Sequence, residues 1–207
     1  MKHIALVLFI GLVLSLCNLS ERFKKSGSSS SSGPSVSENE AAPEPAQPTA
    51  AQTAAIAGGQ EAKWERQGMS WTVPPGWTET TNESSTFVWR SPGGSDAASL
   101  IVSISALDED FPAEISIKST FDQAKSRAKN GQVDELKWIE IDGIKGVQFR
   151  EAVPEKPDGH RRLQWMAYRK YLGQVQLLNL MLASEGKDFE RHKDAMYGIL
   201  YSSKITH

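Results

Sequence analysis

Residues 99–107 read Ser-Leu-Ile-Val-Ser-Ile-Ser-Ala-Leu, so Leu100, Val102, Ile104 and Ala106 share one face and Ile101, Ser103, Ser105 and Leu107 the other, the period of a strand. The period then changes. Ile117, Phe121, Ala124 and Ala128 recur at helical spacing between Pro112 and Asn130-Gly131, which predicts a helix that stops at the glycine. Upstream, Trp64 to Val73 reads as a hairpin closed by Pro74-Pro75-Gly76, and Thr86–Arg90 as a strand before the turn at Ser91-Pro92-Gly93-Gly94. Downstream, four strand candidates alternate with turn residues: Leu136–Ile141, Ile144–Val153, Arg161–Leu172 and Gln174–Ser184. The last is apolar on both parities and needs cover on both faces. Phe189, His192, Met196, Ile199 and Leu200 form the stripe of a closing helix that supplies part of it. These elements predict an α+β domain: a mostly antiparallel sheet of about six or seven strands with helices packed on it.

Two stretches break the pattern. Ile4–Leu16 is an apolar run behind Lys2, too short for a comfortable membrane span of about 20 residues, and reads as a secretory signal or membrane anchor occupying residues 1–25. Leu14-Ser15-Leu16-Cys17 resembles the bacterial lipobox, with Leu16 where that pattern has Gly, Ala or Ser; the resemblance implies lipidation at Cys17. The alternative is that Cys17 is one more apolar residue of an uncleaved anchor. Residues 26–60, built from Ser, Gly, Pro, Ala, Gln, Thr and Glu, hold only Val36 and Ile56 as large aliphatics. Their composition predicts a disordered linker with a reach of roughly 30–35 Å. A leader followed by a tether predicts export and attachment to a membrane, leaving residues 61–207 as the folding domain.

That domain carries 19 Lys and Arg against 21 Asp and Glu, so no basic field exists for nucleic acid. Cys17, the only cysteine, lies outside it, which leaves the domain without thiol chemistry or a disulfide. His160 and His192 are its histidines besides the terminal His207, no metal-ligand spacing appears, and no cofactor or nucleophile motif is present. His192 is one turn from Asp188, as a structural partner or a dyad. Asp108-Glu109-Asp110 is either a hard-cation cluster or a set of solvated acids at a helix start.

His160, Arg161 and Arg162, with Arg169 and Lys170, put five potentially positive groups on one strand pair and are candidates for an anionic protein or lipid partner. The alternative is solvated strand ends. Six tryptophans, Trp64, Trp71, Trp77, Trp89, Trp138 and Trp165, are core unless some cluster at the surface; Trp77, behind the Pro-Pro-Gly turn, is a partner-binding candidate.

Met69-Ser70-Trp71-Thr72-Val73-Pro74-Pro75-Gly76-Trp77, the Ile101–Ala106 strand, the Phe121 helix, Ile141-Asp142-Gly143-Ile144-Lys145-Gly146 and the ending Ile199-Leu200-Tyr201-Ser202-Ser203 together resemble the PsbP-like fold. That α/β/α sandwich is shared by PsbP, the Ran-binding Mog proteins and the exported DcrB group. The resemblance covers about residues 64–205, rests on scaffold residues and implies an exported accessory or binding module rather than an enzyme. Two alternatives remain beside it. One is a small hydrolase using carboxylates such as Glu151 or Asp108; the other is a carrier of an apolar small molecule.

Overall fold

The computed structural model describes residues 33–206 apart from positions 41 and 157; the leader and Cys17 lie outside the described residues. The central strands are β7 (Ser99–Leu107), β8 (Val133–Ile141), β9 (Ile144–Glu151), β10 (His160–Tyr171) and β11 (Gln174–Glu185). With β5 (Thr78–Asn82) and β6 (Thr86–Arg90) they form an antiparallel array in the order β8-β9-β10-β11-β7-β6-β5. Two short pieces, β1 (Ser35–Ser37) and β2 (Glu44–Pro45), pair with β8 in parallel and bring this sheet to nine strands. The first hairpin, β3 (Gln60–Trp64) and β4 (Met69–Val73), joins β12 (Lys204–Ile205) in a separate three-stranded sheet.

The α+β class is as expected, but the sheet is larger than six or seven strands. The extra strands carry no apolar alternation to read. β5 is Thr-Glu-Thr-Thr-Asn, and β1 and β2 are three and two residues long.

Helix α2 (Ala113–Lys129) buries Ile117, Phe121, Ala124 and Ala128, the expected stripe, against Leu136, Trp138, Val147 and Phe149 on one face of the sheet. Phe121 stacks on Trp138 with centroids 5.0 Å apart. On the other face lie the small sheet and α3 (Phe189–Tyr201), over a larger core in which Phe87 stacks between Trp64 and Trp71. Among the described residues, no helix is long and apolar enough to cross a membrane.

The composition of residues 26–60 predicts no structure, and its described part departs from that. Beside β1 and β2 it forms a short helix, α1 (Ala50–Ala55), started by a reciprocal Thr49–Gln52 capping box. Val36 packs against the α2 cluster, Ala46 and Ile56 against the larger core, and Glu38 pairs with Lys125 at 2.8 Å. Composition counts side chains available for burial; this strap is also held by main-chain pairing of β1 and β2 with the β8 edge, which composition does not register.

Both long hairpins turn on two residues with positive φ. Asp142 and Gly143 have φ of 49° and 81°, and Leu172 and Gly173 have 51° and 77°. Such turns suit Asn, Asp and Gly, whereas leucine is strained there. The Leu172 side chain is 81% exposed and buries little in return. Leu172→Asn is therefore expected to stabilise the domain by about 1 kcal/mol, read as a melting temperature raised by about 2–4 °C.

Candidate functional site

Strand alternation divides the basic cluster between two environments. Arg161 and Arg169 point into the protein, 3% and 4% exposed, and their guanidinium groups bond to protein oxygens. His160, Arg162 and Lys170 are exposed, with Arg162 lying 3.5 Å from Glu151. Burial takes Arg161 and Arg169 out of any surface for an anionic partner, while His160, Arg162 and Lys170 remain exposed on one side of β10. Trp77 is buried at 4% exposure and is withdrawn as a surface contact for the same reason. His192 Nε2 meets the Asp96 carbonyl at 2.9 Å, while the Asp188 carboxylate takes Arg191 at 2.9 Å, so no dyad forms. Glu151 accepts from Arg127 at 3.0 Å, and Asp108 sits in the exposed turn between β7 and α2. No group of three or more His, Cys, Asp or Glu that could hold a metal ion occurs among the described residues.

A different set of polar residues converges where α3 crosses the β8–β9 end of the sheet. On the core-facing side of β8, Ile139 and Ile141 give way to Glu135 and Lys137; on β9, Ile144 gives way to Gln148 and Arg150. The face that should be apolar is polar at one end. From above, α3 contributes Tyr197 and Tyr201, one turn apart, with rings edge-to-face at 5.7 Å. The strap lays Gln47, Thr49 and Gln52 alongside, and with Glu135, Lys137, Arg150, Tyr197 and Tyr201 they line a cleft of about 270 Å³, beneath which Gln148 is buried.

Its centre is Glu135. The Tyr197 hydroxyl donates to its Oε2 at 2.5 Å and Gln148 Nε2 to its Oε1 at 2.7 Å. Arg150 Nη1 lies 3.4 Å from Oε2 and Lys137 Nζ 3.6 Å from Oε1. Arg150 Nε also donates to Asp134 at 2.7 Å and Nη1 to the Tyr197 oxygen at 3.2 Å, while Tyr201 donates to Gln148 Oε1 at 3.0 Å. Gln148 has no exposed surface at all.

Burial pushes the Tyr197 hydroxyl far above its ordinary value, with the neighbouring Glu135 charge adding to the rise, and burial also raises Tyr201. Burial works against the charged form of Lys137, but Tyr201 and Glu135 outweigh it and hold the ammonium above its usual value. Arg150 is raised in the same way, burial being overcome by Tyr197, Asp134 and Glu135. At neutral pH the cleft thus holds fixed ammonium and guanidinium charges and protonated phenols.

None of these six side chains was singled out by motif. The available signal was a break in parity: charged and amide residues at 135, 137, 148 and 150 occupy the positions that continue the apolar rows of β8 and β9.

No protein-family model matches the chain, and no curated protein matches it. Solved structures do. LpqN, described as involved in cell envelope biogenesis of Mycobacterium tuberculosis, is 14% identical over 72% of this chain and 86% of its own, with a TM-score of 0.52. The cyanobacterial PsbP of a Synechocystis species is 15% identical over 71% of this chain and 92% of its own, at 0.45. The Saccharomyces cerevisiae Ran-binding protein Mog1p is 10% identical over 71% of this chain and 95% of its own, at 0.39. The fold is PsbP-like, as the order of sequence features implies; at such identities the likeness extends to architecture alone.

Proposed function

We propose that this protein is a non-enzymatic binding or accessory module of a cell envelope, held at the outer side of a membrane by its N-terminal segment, with the α3 cleft as its ligand site. The observation that carries this reading is the cleft itself: a concave, partly buried set of donors whose pKa values are driven away from neutrality. It contains one carboxylate, Glu135, already engaged by Tyr197 and Gln148, which favours recognition over the carboxylate-pair hydrolysis kept as an alternative. The apolar run at residues 4–16 and Cys17 support tethering, and the envelope role described for LpqN is consistent with it. Cell fractionation with radiolabelled palmitate tests the attachment. The protein is expected in the membrane fraction, with label lost in Cys17→Ser; a soluble cytoplasmic protein retaining Met1 overturns it.

A further inference from the structure

The ligand class follows from counting donors and acceptors in the cleft, an argument that rests on the reading just given. A carboxylate offers about four lone-pair positions. Those of Glu135 already receive Tyr197 and Gln148 at good distances and Arg150 at 3.4 Å. Lys137, with three N–H donors, is left with a 3.6 Å contact to Glu135 and the neighbouring Tyr201 hydroxyl. A contact of that length is outside good hydrogen-bond range. The other cations have close partners: Arg150 has Asp134 at 2.7 Å and Lys193 has Glu190 at 2.6 Å. The local shortage is therefore of oxygen acceptors beside one ammonium. A monoanion meets it, whereas a phosphate dianion would also meet the Glu135 charge across the same lysine. The cleft, of about 270 Å³, is open to solvent on one side and has room for a small molecule.

The roof of the cleft shows the same purpose. Gly198 stands inside α3, where glycine costs about 1 kcal/mol relative to alanine. A methyl group there would come within 2.6 Å of the Gln52 carbonyl oxygen and 2.9 Å of Ile56. The helix gives up stability at that position so that the strap can seat against it, which places Gln52 at the cleft.

We propose that the cleft binds a small organic carboxylate, its oxygens taking the remaining N–H donors of the Lys137 ammonium, which the Tyr201 hydroxyl positions, with the strap residues 47–56 closing over it. Binding and seating of the strap are then coupled, and each strengthens the other.

The test is calorimetric titration of the full chain with pyruvate, lactate and glucuronate, and with glucose and inorganic phosphate as comparisons. At least one carboxylate is expected to bind saturably, about tenfold or more tightly than glucose and phosphate, because a charge-assisted bond is worth roughly 1.5–3 kcal/mol. Lys137→Gln is expected to weaken that carboxylate by tenfold or more, and Tyr201→Phe, which keeps the ring, by a smaller factor. Gly198→Ala leaves Lys137, Tyr201 and the other sheet and α3 side chains unchanged and is expected to weaken binding by unseating the strap with its Gln52, seen as faster amide exchange over residues 50–56. Glucose bound as tightly as glucuronate, or phosphate bound as tightly as any carboxylate, overturns the carboxylate assignment while leaving a binding module standing. Unchanged affinity in both Lys137→Gln and Tyr201→Phe moves the site elsewhere and overturns the proposal. Failure of all five probes to bind overturns both readings.

Discussion

Arg161→Ala is expected to cost about 2–4 kcal/mol of unfolding free energy, from a cavity in the core and a buried carbonyl left without its donor. Arg161 begins β10 at 3% exposure and joins three elements. Its Nη2 donates to Asp134 on β8, its Nη1 to Glu190 in the first turn of α3 at 2.8 Å, and its Nε to the Glu151 carbonyl at the end of β9 at 2.8 Å. The guanidinium also lies 4.5 Å from the ring centroid of the fully buried Phe189. Alanine leaves a cavity against that ring and orphans the Glu151 carbonyl, while Asp134 keeps Arg150 and Glu190 keeps Lys193. Arg161→Lys is expected to recover less than half, because one ammonium cannot reproduce three diverging bonds. Urea denaturation reads both, and a loss below about 1 kcal/mol would mean that solvent already screens the network.

Acid adds a second check. The Glu190 carboxyl is held below its ordinary value by the Lys193 hydrogen bond, against the opposing effect of burial, and then by Arg161. A lowered carboxyl stabilises the fold fully above its ordinary range, and that contribution disappears as the pH falls through the lowered value. Glu190 is 61% exposed, so the contribution is modest. Arg161→Ala should make it smaller still, flattening the loss of stability on the acid side.

The contrast between Arg161 and the elements around it explains what could be read from the residue order. The α2 stripe was legible because Ile117, Phe121, Ala124 and Ala128 all meet one apolar surface, so period alone locates them. The hairpin at Asp142-Gly143 was legible because its backbone needs positive φ at both positions. Arg161 looked like a surface cation because charge is normally solvated. Its partners are Asp134, 27 residues upstream, and Glu190, 29 residues downstream, and no local pattern joins them. The cleft escaped for a related reason. Glu135 and Lys137 look like solvent-facing strand residues until the register puts them in line with Ile139 and Ile141, under Tyr197 and Tyr201. The strap escaped in part because a sheet edge orders a polar segment by backbone bonding.

Arg169→Met is expected to cost about 3 kcal/mol by a different route. Arg169 is 4% exposed and, among the described residues, has no carboxylate partner. Its charge is met by neutral oxygens: Gln176 Oε1 at 2.9 Å, the Thr206 carbonyl at 2.8 Å and the Gln67 carbonyl at 2.7 Å, with the Tyr171 ring centroid 4.1 Å away. Burial pushes its pKa down to about 10, which still leaves it charged at neutral pH. Methionine would fill much of the space but leave those oxygens without donors, at about 1–3 kcal/mol for each that water cannot reach. Two of them lie near the surface, hence the lower end of the sum. The three oxygens belong to the turn after β3, to β11 and to the C-terminal tail, so Arg169 pins the end of the chain. The readout is the Thr206 amide, bonded to the Gly68 carbonyl at 2.9 Å, whose exchange should accelerate in Arg169→Met and stay slow in Arg161→Ala. Equal protection in both variants would show the tail to be held by β12 pairing alone. Eight positions along β10 separate the two arginines by about 26 Å, and they share no partner, so their costs should add to within about 0.5 kcal/mol in the double variant. A larger deviation would mean that the α3 end and the tail end of the sheet unfold as one cooperative unit through β10.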